Sequence, residues 1–395
     1  MTKLSDRQVN ILGDQLKGRR VDFVVSGGIA AIESPKIIRE LRRYGAEVRV
    51  LFTQNAASFV QPLVFEWASE RAVVTQLSGQ AEHISGADAV VVSPASLNFL
   101  GKLALGLADC PASTAVQSVL GRKPVFVQPT MHESLLESPA YRSHREALGK
   151  IAQLEILEPK REESKAKSSE PEEIVARVCH GMNRRDRSVL VFAGPTRSYL
   201  DDIRFLSNRS SGRLGVEISK DLYRWGFELN LILGPTELPV PPYLAVTRVE
   251  TRQEMLERAK DLKKLEPFAV QIFAAAVLDF EFGHRERGKR SSQDKIWSVD
   301  LEASPKMIDE FIDPRSINVG FKLESTLSLE QLFQQMRDLQ NRVGCQWVIG
   351  NLLDEIKAET HRAYFMGGEE EPVPLEGREK IASFLSQRIL EATNF

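Results

Sequence analysis

Two doubly wound α/β domains in series, each a three-layer sandwich, are predicted by three observations. Two apolar runs end in glycine and lead into helical patterns: VDFVVSGG (21–28) and SVLVFAGPT (188–196). Each pattern stops at a glycine and gives way to another apolar run, in RRYGAEVRVLFT (42–53) and YRWGFELNLILG (223–234). Strand, glycine-bearing loop, helix, glycine, strand is the grammar of a βαβ unit. The runs are unbroken, as in parallel sheets covered on both faces. The third observation is length: 395 residues exceed what one core organises.

The first domain is expected over 1–183. Its N-terminal stretch, MTKLSDRQVNILGDQLKGRR, is charged and amphipathic and lacks a secretory apolar core. Ile37, Ile38 and Leu41 give the first helix an inward face, and Gly45 stops it. ADAVVVSPAS (87–96) and KPVFVQPT (123–130) predict further strands. PKREESKAKSSEPEE (159–173) is charged and poor in large apolar residues, so it reads as an exposed linker or mobile flap. IVARVCHGMNRR (174–185) reads as a helix closing the domain.

The second domain is expected over 184–395. Leu214, Ile218, Leu222 and Trp225 recur at helical spacing. FAVQIFAAAV (268–277) and CQWVIGN (345–351) predict strands. HRERGKRSSQDK (284–295) is polar and reads as a mobile loop able to act as a lid.

Composition narrows the partners. A net charge of −2 and a pI near 6.4 do not suggest nucleic acid or an anionic membrane. No apolar run approaches the roughly twenty residues of a membrane span. Three separated cysteines fit a reduced cytoplasm, and the six histidines form no paired metal-ligand spacing, so no protein-held metal is expected.

One stretch asks for a ligand. NRSSGRLG (208–215) lies between an extended run and a helix. A helix start offers unpaired N–H groups and partial positive charge. Serine hydroxyls and a glycine there suit a phosphate. On these eight residues alone an ordinary helix cap is the simpler reading.

The longer pattern resembles a known family, the bacterial bifunctional flavoproteins that fuse phosphopantothenoylcysteine decarboxylase to phosphopantothenate–cysteine ligase in coenzyme A biosynthesis. SGGIAA (26–31) is similar to the family's flavin-phosphate loop, and Thr53, Ala56 and Phe59 to its T-x-x-A-x-x-F segment. His83, Asp88, Pro94, Ala95, Ser96, Asn98, Lys102, Gly106 and Asp109 follow its next block. The resemblance implies a flavodoxin- or Rossmann-like domain binding FMN through Gly27, Gly28, Ile29, Ala30, Thr53, Ser93, Ala95, Ser96 and Asn98, with His83 at the catalytic histidine.

In the second half, AGPTRSYLDDIRFLSNRSSGRLG (193–215) resembles the ligase's long glycine–serine motif through Gly194, Thr196, Asp201, Arg204, Asn208, Ser210, Ser211, Gly212 and Gly215. AAAVLDF (274–280), GFKLES (320–325) and VIGN (348–351) resemble its later motifs. The implied Rossmann-like domain joins 4′-phosphopantothenate to cysteine at the expense of CTP, with Mg²⁺ on the triphosphate. Gly194, Thr196, Ser210, Ser211, Gly212, Ala275, Asp279, Lys295 and Phe321 would bind the nucleotide, with Asn208 and Lys295 at catalytic positions. A cytoplasmic homo-oligomer is implied as well.

The sequence also departs from the family. His132 in PTMH stands where the decarboxylase has a substrate-binding Asn, and 159–173 holds no flap cysteine. In the ligase half Pro195 and Ser198 replace a Gly and a Glu, and KIWS keeps only Lys295 of a lysine-rich motif. These changes set ligation ahead of decarboxylation. They leave two alternatives: a flavin- and nucleotide-binding paralogue with another substrate, and a non-catalytic scaffold.

Overall fold

A computed structural model describes residues 6–162, 165–289, 297–357, 360–368 and 371–393. The chain divides into two compact units, Met1–Arg184 and Arg185–Phe395. No helix among the described residues is long and apolar enough to cross a membrane.

The first unit is built on β1 (Arg20–Val25), α1 (Ser34–Arg43), β2 (Glu47–Phe52), β3 (Ala89–Ala95), α2 (Leu97–Leu105), β4 (Val125–Pro129), β5 (Leu154–Ile156) and α3 (Pro171–Asn183). The five strands are parallel in the order β2-β1-β3-β4-β5. That is the flavodoxin order, with its topological switch between β1 and β3. Side chains alternate across the sheet. Val21, Phe23 and Val25 enter the core shared with α1 and α3, whereas Val24 enters the opposite core with α2.

Asp22 interrupts the apolar run of β1 without weakening it. It is 2% exposed and held by the Arg49 guanidinium at 2.8 and 2.5 Å and by Ser85 Oγ at 2.6 Å. A buried carboxylate is tolerable when it is paired and hydrogen-bonded in this way.

The 159–173 segment corrects the linker reading. Lys160–Glu162 and Lys165–Lys167 pair antiparallel, the latter also with Met131–His132, and α3 has begun by Pro171. Charged strands whose partners lie on the same small sheet carry no apolar alternation, so composition alone reads them as loop.

The second unit contains β6 (Ser188–Ala193), α4 (Arg213–Arg224), β7 (Glu228–Leu233), β8 (Ala245–Arg248), α5 (Arg252–Leu265), β9 (Val270–Phe273), β10 (Ile317–Glu324), α6 (Leu329–Val343), β11 (Trp347–Leu352), β12 (Arg362–Gly367), β13 (Val373–Glu376) and α7 (Arg378–Thr393). Its sheet runs β8-β7-β6-β9-β10-β11-β12-β13, with β12 and β13 antiparallel. The six parallel strands follow the Rossmann order, and the switch falls between β6 and β9.

Crowding governs that switch. A Cβ on Gly215 would lie 2.4 Å from Ala193 Cβ, so α4 can approach β6 only through glycine. Gly215→Ala is therefore expected to destabilise the second unit by about 1–3 kcal/mol, the usual cost of overpacking. Thermal unfolding of the variant beside the parent checks this.

Candidate functional site

In the first unit the motif residues gather at the carboxyl ends of β1 and β3. Ser26 Oγ donates to Pro94 O at 2.8 Å and accepts from Ser96 N at 2.9 Å. Ser34 Oγ donates to Ser93 O at 2.8 Å. Two serine hydroxyls, of Ser26 and Ser34, thus stitch the two loops into one rim. Ser96 also caps α2, accepting from Phe99 N, and aims the helix start at the same crevice. Ala95 is buried beneath it and Asn98 is exposed on the first turn.

The glycine pair divides its labour. A Cβ on Gly27 would lie 2.6 Å from Asn55 Cβ, whereas one on Gly28 would meet nothing within 4 Å. Gly27 lets the neighbouring loop close in, and Gly28 fronts open space. Thr53 closes the third side, its N and Oγ1 both donating to Val25 O at 3.1 and 3.4 Å. Ile29 is 70% exposed and Ala30 half-buried. This rim of helix start, main-chain amides and exposed apolar side chain fits a flavin with its phosphate.

His83 lies in a turn two residues before Ser85, which is anchored on Asp22. Its Nδ1 is buried without a protein partner. His132 is exposed and caps the four-residue helix Glu133–Leu136, Nδ1 accepting from Ser134 N at 3.3 Å. It sits opposite Lys165 in the small sheet. That cap engages Nδ1 and leaves Nε2 as the other functional end.

In the second unit three loops meet at the switch. Gly194 has φ +76° and Gly212 φ +71°, a region costly for other residues. A Cβ on Gly234 would lie 1.8 Å from Pro195 O, and one on Gly212 would lie 3.3 Å from Gly194 Cα. Pro195, the departure from the family motif, forms a parallel bridge to Ala276. Thr196, fully buried, accepts from Leu278 N at 3.0 Å.

The Ser–Gly bend then turns into α4. Gly212 N donates to Ser210 Oγ and Arg213 N to Ser211 Oγ. Asn208 Nδ2 donates to Ala276 O at 3.2 Å and Val277 O at 3.0 Å, joining the bend to the AAAV loop. Its amide N–H groups are thereby engaged with main chain, and its carbonyl end is the one available to a ligand. Asp279 is exposed and ion-paired with Lys306, a partner that no motif in the sequence identifies. Ala275 and Phe321 are half-buried at the ends of β9 and in β10. Lys295 lies outside the described residues.

Asp201 and Arg204 hold each other in the loop before the bend. Asp201 is fully buried and accepts from Ile203 N, Arg204 N and the Arg204 guanidinium. The described part of the 284–295 loop is tied at its start to the 200–202 turn. Asp202 accepts from Gly288 N and from Arg285, while Glu286 N donates to Leu200 O. Residues 290–296 lie outside the described residues. Among the described residues no three His, Cys, Asp or Glu side chains converge as a metal site.

Sequence reasoning passes over two features. A cleft of about 1090 Å³ opens beside Ser210 and Ser211 and runs over the ends of β7 and β8. The second is His361, 8% exposed, whose Nε2 lies 2.9 Å from Asn351 Nδ2 of the VIGN motif. Asn351 Nδ2 also donates to Arg362 O. Burial and the nearby Arg378 push the His361 imidazole down to about 4.

Comparison with known proteins agrees with this layout. Residues 184–393 match the DNA/pantothenate metabolism flavoprotein C-terminal domain family, and residues 10–183 match the Flavoprotein family. The coenzyme A biosynthesis bifunctional protein CoaBC of Thermococcus kodakarensis is 36% identical over 367 residues, covering 89% of this chain and 90% of that protein. The CoaBC protein of Methanocaldococcus jannaschii is 31% identical over 349 residues, covering 86% and 85%. That of Escherichia coli K12 is 27% identical over 408 residues, covering 95% and 97%. The chain belongs to the CoaBC family.

His361 makes stability depend on pH. Unfolded histidine titrates near 6.5 and the folded residue near 4. The stabilisation is complete above pH 6.5 and is lost as pH falls toward 4, by roughly 3 kcal/mol over that window. In His361→Asn the unfolding midpoint should fall less between pH 7 and pH 4.5 than in the parent. Calorimetry at the two pH values measures the difference.

Proposed function

We propose that this member of the CoaBC family carries out two steps of coenzyme A synthesis. The second unit joins 4′-phosphopantothenate to cysteine using CTP, and the first decarboxylates the product to 4′-phosphopantetheine with FMN. The observation that carries the reading is positional. Both motif sets sit at the topological switch of their own sheet, where α/β proteins bind ligands.

Ligation proceeds in two displacements. A carboxylate oxygen of 4′-phosphopantothenate attacks the α-phosphorus of CTP, and pyrophosphate leaves. The cysteine amine then attacks the acyl carbon; CMP leaves and the amine gives up a proton. The Ser211 amide and the Ser210 and Ser211 hydroxyls of the bend hold phosphate oxygens where charge develops. Asp279 takes the ribose hydroxyls once it parts from Lys306, which turns toward phosphate. The Asn208 carbonyl end, fixed by the grip of its amide on Ala276 and Val277, orients the cysteine amine. Mg²⁺ bound with the nucleotide would neutralise triphosphate charge and would need few protein ligands.

In the first unit the Gly27–Ala30 loop and the α2 start would hold the FMN phosphate, with Thr53 and Ala95 also among the residues that would hold the cofactor. FMN supplies redox chemistry at the cysteinyl thiol that eases loss of carbon dioxide. His83 faces the substrate carboxylate and holds the proton that replaces carbon dioxide. The paired hairpin beside His132 takes the place of the cysteine-bearing flap. The exposed Ile29, Phe59 and Leu63 support a homo-oligomer covering this crevice.

Purified protein should carry a flavin spectrum. With CTP, Mg²⁺, 4′-phosphopantothenate and cysteine, mass spectrometry should find phosphopantothenoylcysteine and its decarboxylated successor. Absence of CMP release with all substrates present refutes the ligase assignment. His83→Asn should abolish carbon dioxide release and leave CMP release within about twofold. Asn208→Asp sets a carboxylate against two carbonyls and should slow amide formation at least about tenfold, more than it weakens CTP binding.

A further inference from the structure

We propose that the buried Asp22–Arg49 pair of the first unit is a positioning device for His83, acting through two residues beside it, Glu82 and Ser85. This rests on the decarboxylase reading and adds to it the groups that fix where the histidine stands.

Residues 75–88, which carry His83, form neither helix nor strand. A side chain on such a segment stands where its tethers put it. Ile84 N donates to Ala81 O, which closes the turn on itself without fixing it to the sheet. Ser78 N and Oγ donate to Glu82 Oε1, again within the segment. His83 Nδ1 and Glu82 Oε2 are buried without a hydrogen-bond partner among the described residues, so neither atom anchors the turn.

The first tie to the sheet after His83 is Ser85. Its Oγ donates to Asp22 Oδ2 at 2.6 Å, and its N donates to Ser118 Oγ at 3.0 Å, just after the helix Pro111–Gln117. Ala87 N donates to Ser85 Oγ at 3.3 Å, so one hydroxyl gathers the turn onto β1. The other flank is drawn by charge. Hydrogen bonding to Asp22 raises the Arg49 pKa, burial opposes the rise, and the Asp22 and Glu82 carboxylates add to it. Glu82 and Ser85 are thus both drawn to a single ion pair.

Stability alone does not explain a charge at this place. Asp22 lies between Arg49 of β2 and Val90 of β3 in the sheet register. A buried ion pair adds little stability over well-packed apolar side chains of similar volume. Apolar side chains, however, cannot hold a hydroxyl. Asp22 Oδ2 takes a guanidinium N–H and the Ser85 O–H together, while Arg49 Nε holds Oδ1 at 2.8 Å. Two parallel bonds from one guanidinium leave the carboxylate a single orientation. Arg49 orients Asp22, Asp22 seats Ser85, and Ser85 sets the backbone that leads to His83. A displacement of about 1 Å in a reacting group can cost about a hundredfold in rate.

The test is steady-state decarboxylation of phosphopantothenoylcysteine by the full chain, with bound flavin read from its visible spectrum and CMP release as a second activity. Ser85→Ala should lower kcat for carbon dioxide release at least about tenfold, with KM within about twofold and with flavin content and CMP release unchanged. Asp22→Asn keeps the shape and loses the charge, and should lower kcat in the same way. The double variant should fall no more than about threefold below the slower single variant, because the two side chains act as one unit. A parental kcat in Ser85→Ala overturns the proposal, as does multiplication of the two single losses. Loss of flavin, or a rise in KM in step with the fall in kcat, overturns it too, since the pair would then only hold the fold. If Asp22→Asn fails to fold, Ser85→Ala decides alone, because it leaves the Asp22–Arg49 pair intact. A parent that binds flavin and releases no carbon dioxide refutes the decarboxylase reading itself, and the positioning role with it.

Discussion

Everything in the second unit depends on three backbones passing in contact at Gly194. The end of β6, the start of α4 and the turn after β7 converge there. Their glycines stand where a methyl group would strike Gly234, Ala193 Cβ or Pro195 O. Close approach brings the Ser–Gly bend level with the strand ends. Such a bend is rigid and carries little rotamer entropy to lose, which suits a site that must align two reactants.

The first unit reaches the same end by another route. Of the motif pair only Gly27 is forced by contact, against Asn55. The loops of β1 and β3 are tied instead by serine hydroxyls bonded to main-chain groups of the opposite loop. Each is a modest bond of about 1 kcal/mol net, but together they fix the rim's geometry. One sheet is therefore tuned by steric exclusion and the other by hydroxyl pairing.

The sequence makes the central strands legible because strands buried on both faces must be apolar along their length. The α1 and α4 patterns are legible because one face of each packs on its sheet. The edge escapes this logic. β13 and the strands Lys160–Glu162 and Lys165–Lys167 mix charged and apolar residues along their sequence, and β12 is tied to β13 by the Arg362–Glu376 ion pair as well as by main chain. The motif residues are readable, but their partners are not. Nothing in the order of residues says that Lys306 meets Asp279, that His361 meets Asn351, or that Arg213, Arg248 and Lys357 border one cleft. Those encounters come from the crossing of distant loops over a shared sheet.

The serine-stitched rim of the first unit has a thermodynamic corollary. Because its hydrogen bonds exist before any ligand arrives, binding a flavin there costs little loop ordering. Nearly all of the intrinsic affinity is then returned as added resistance to melting, about 2.7 kcal/mol at a hundredfold excess over the dissociation constant. The heat tolerance of this half of the chain would thus follow the cell's supply of vitamin-derived cofactor, with scarcity felt first as shortened lifetime of the polypeptide.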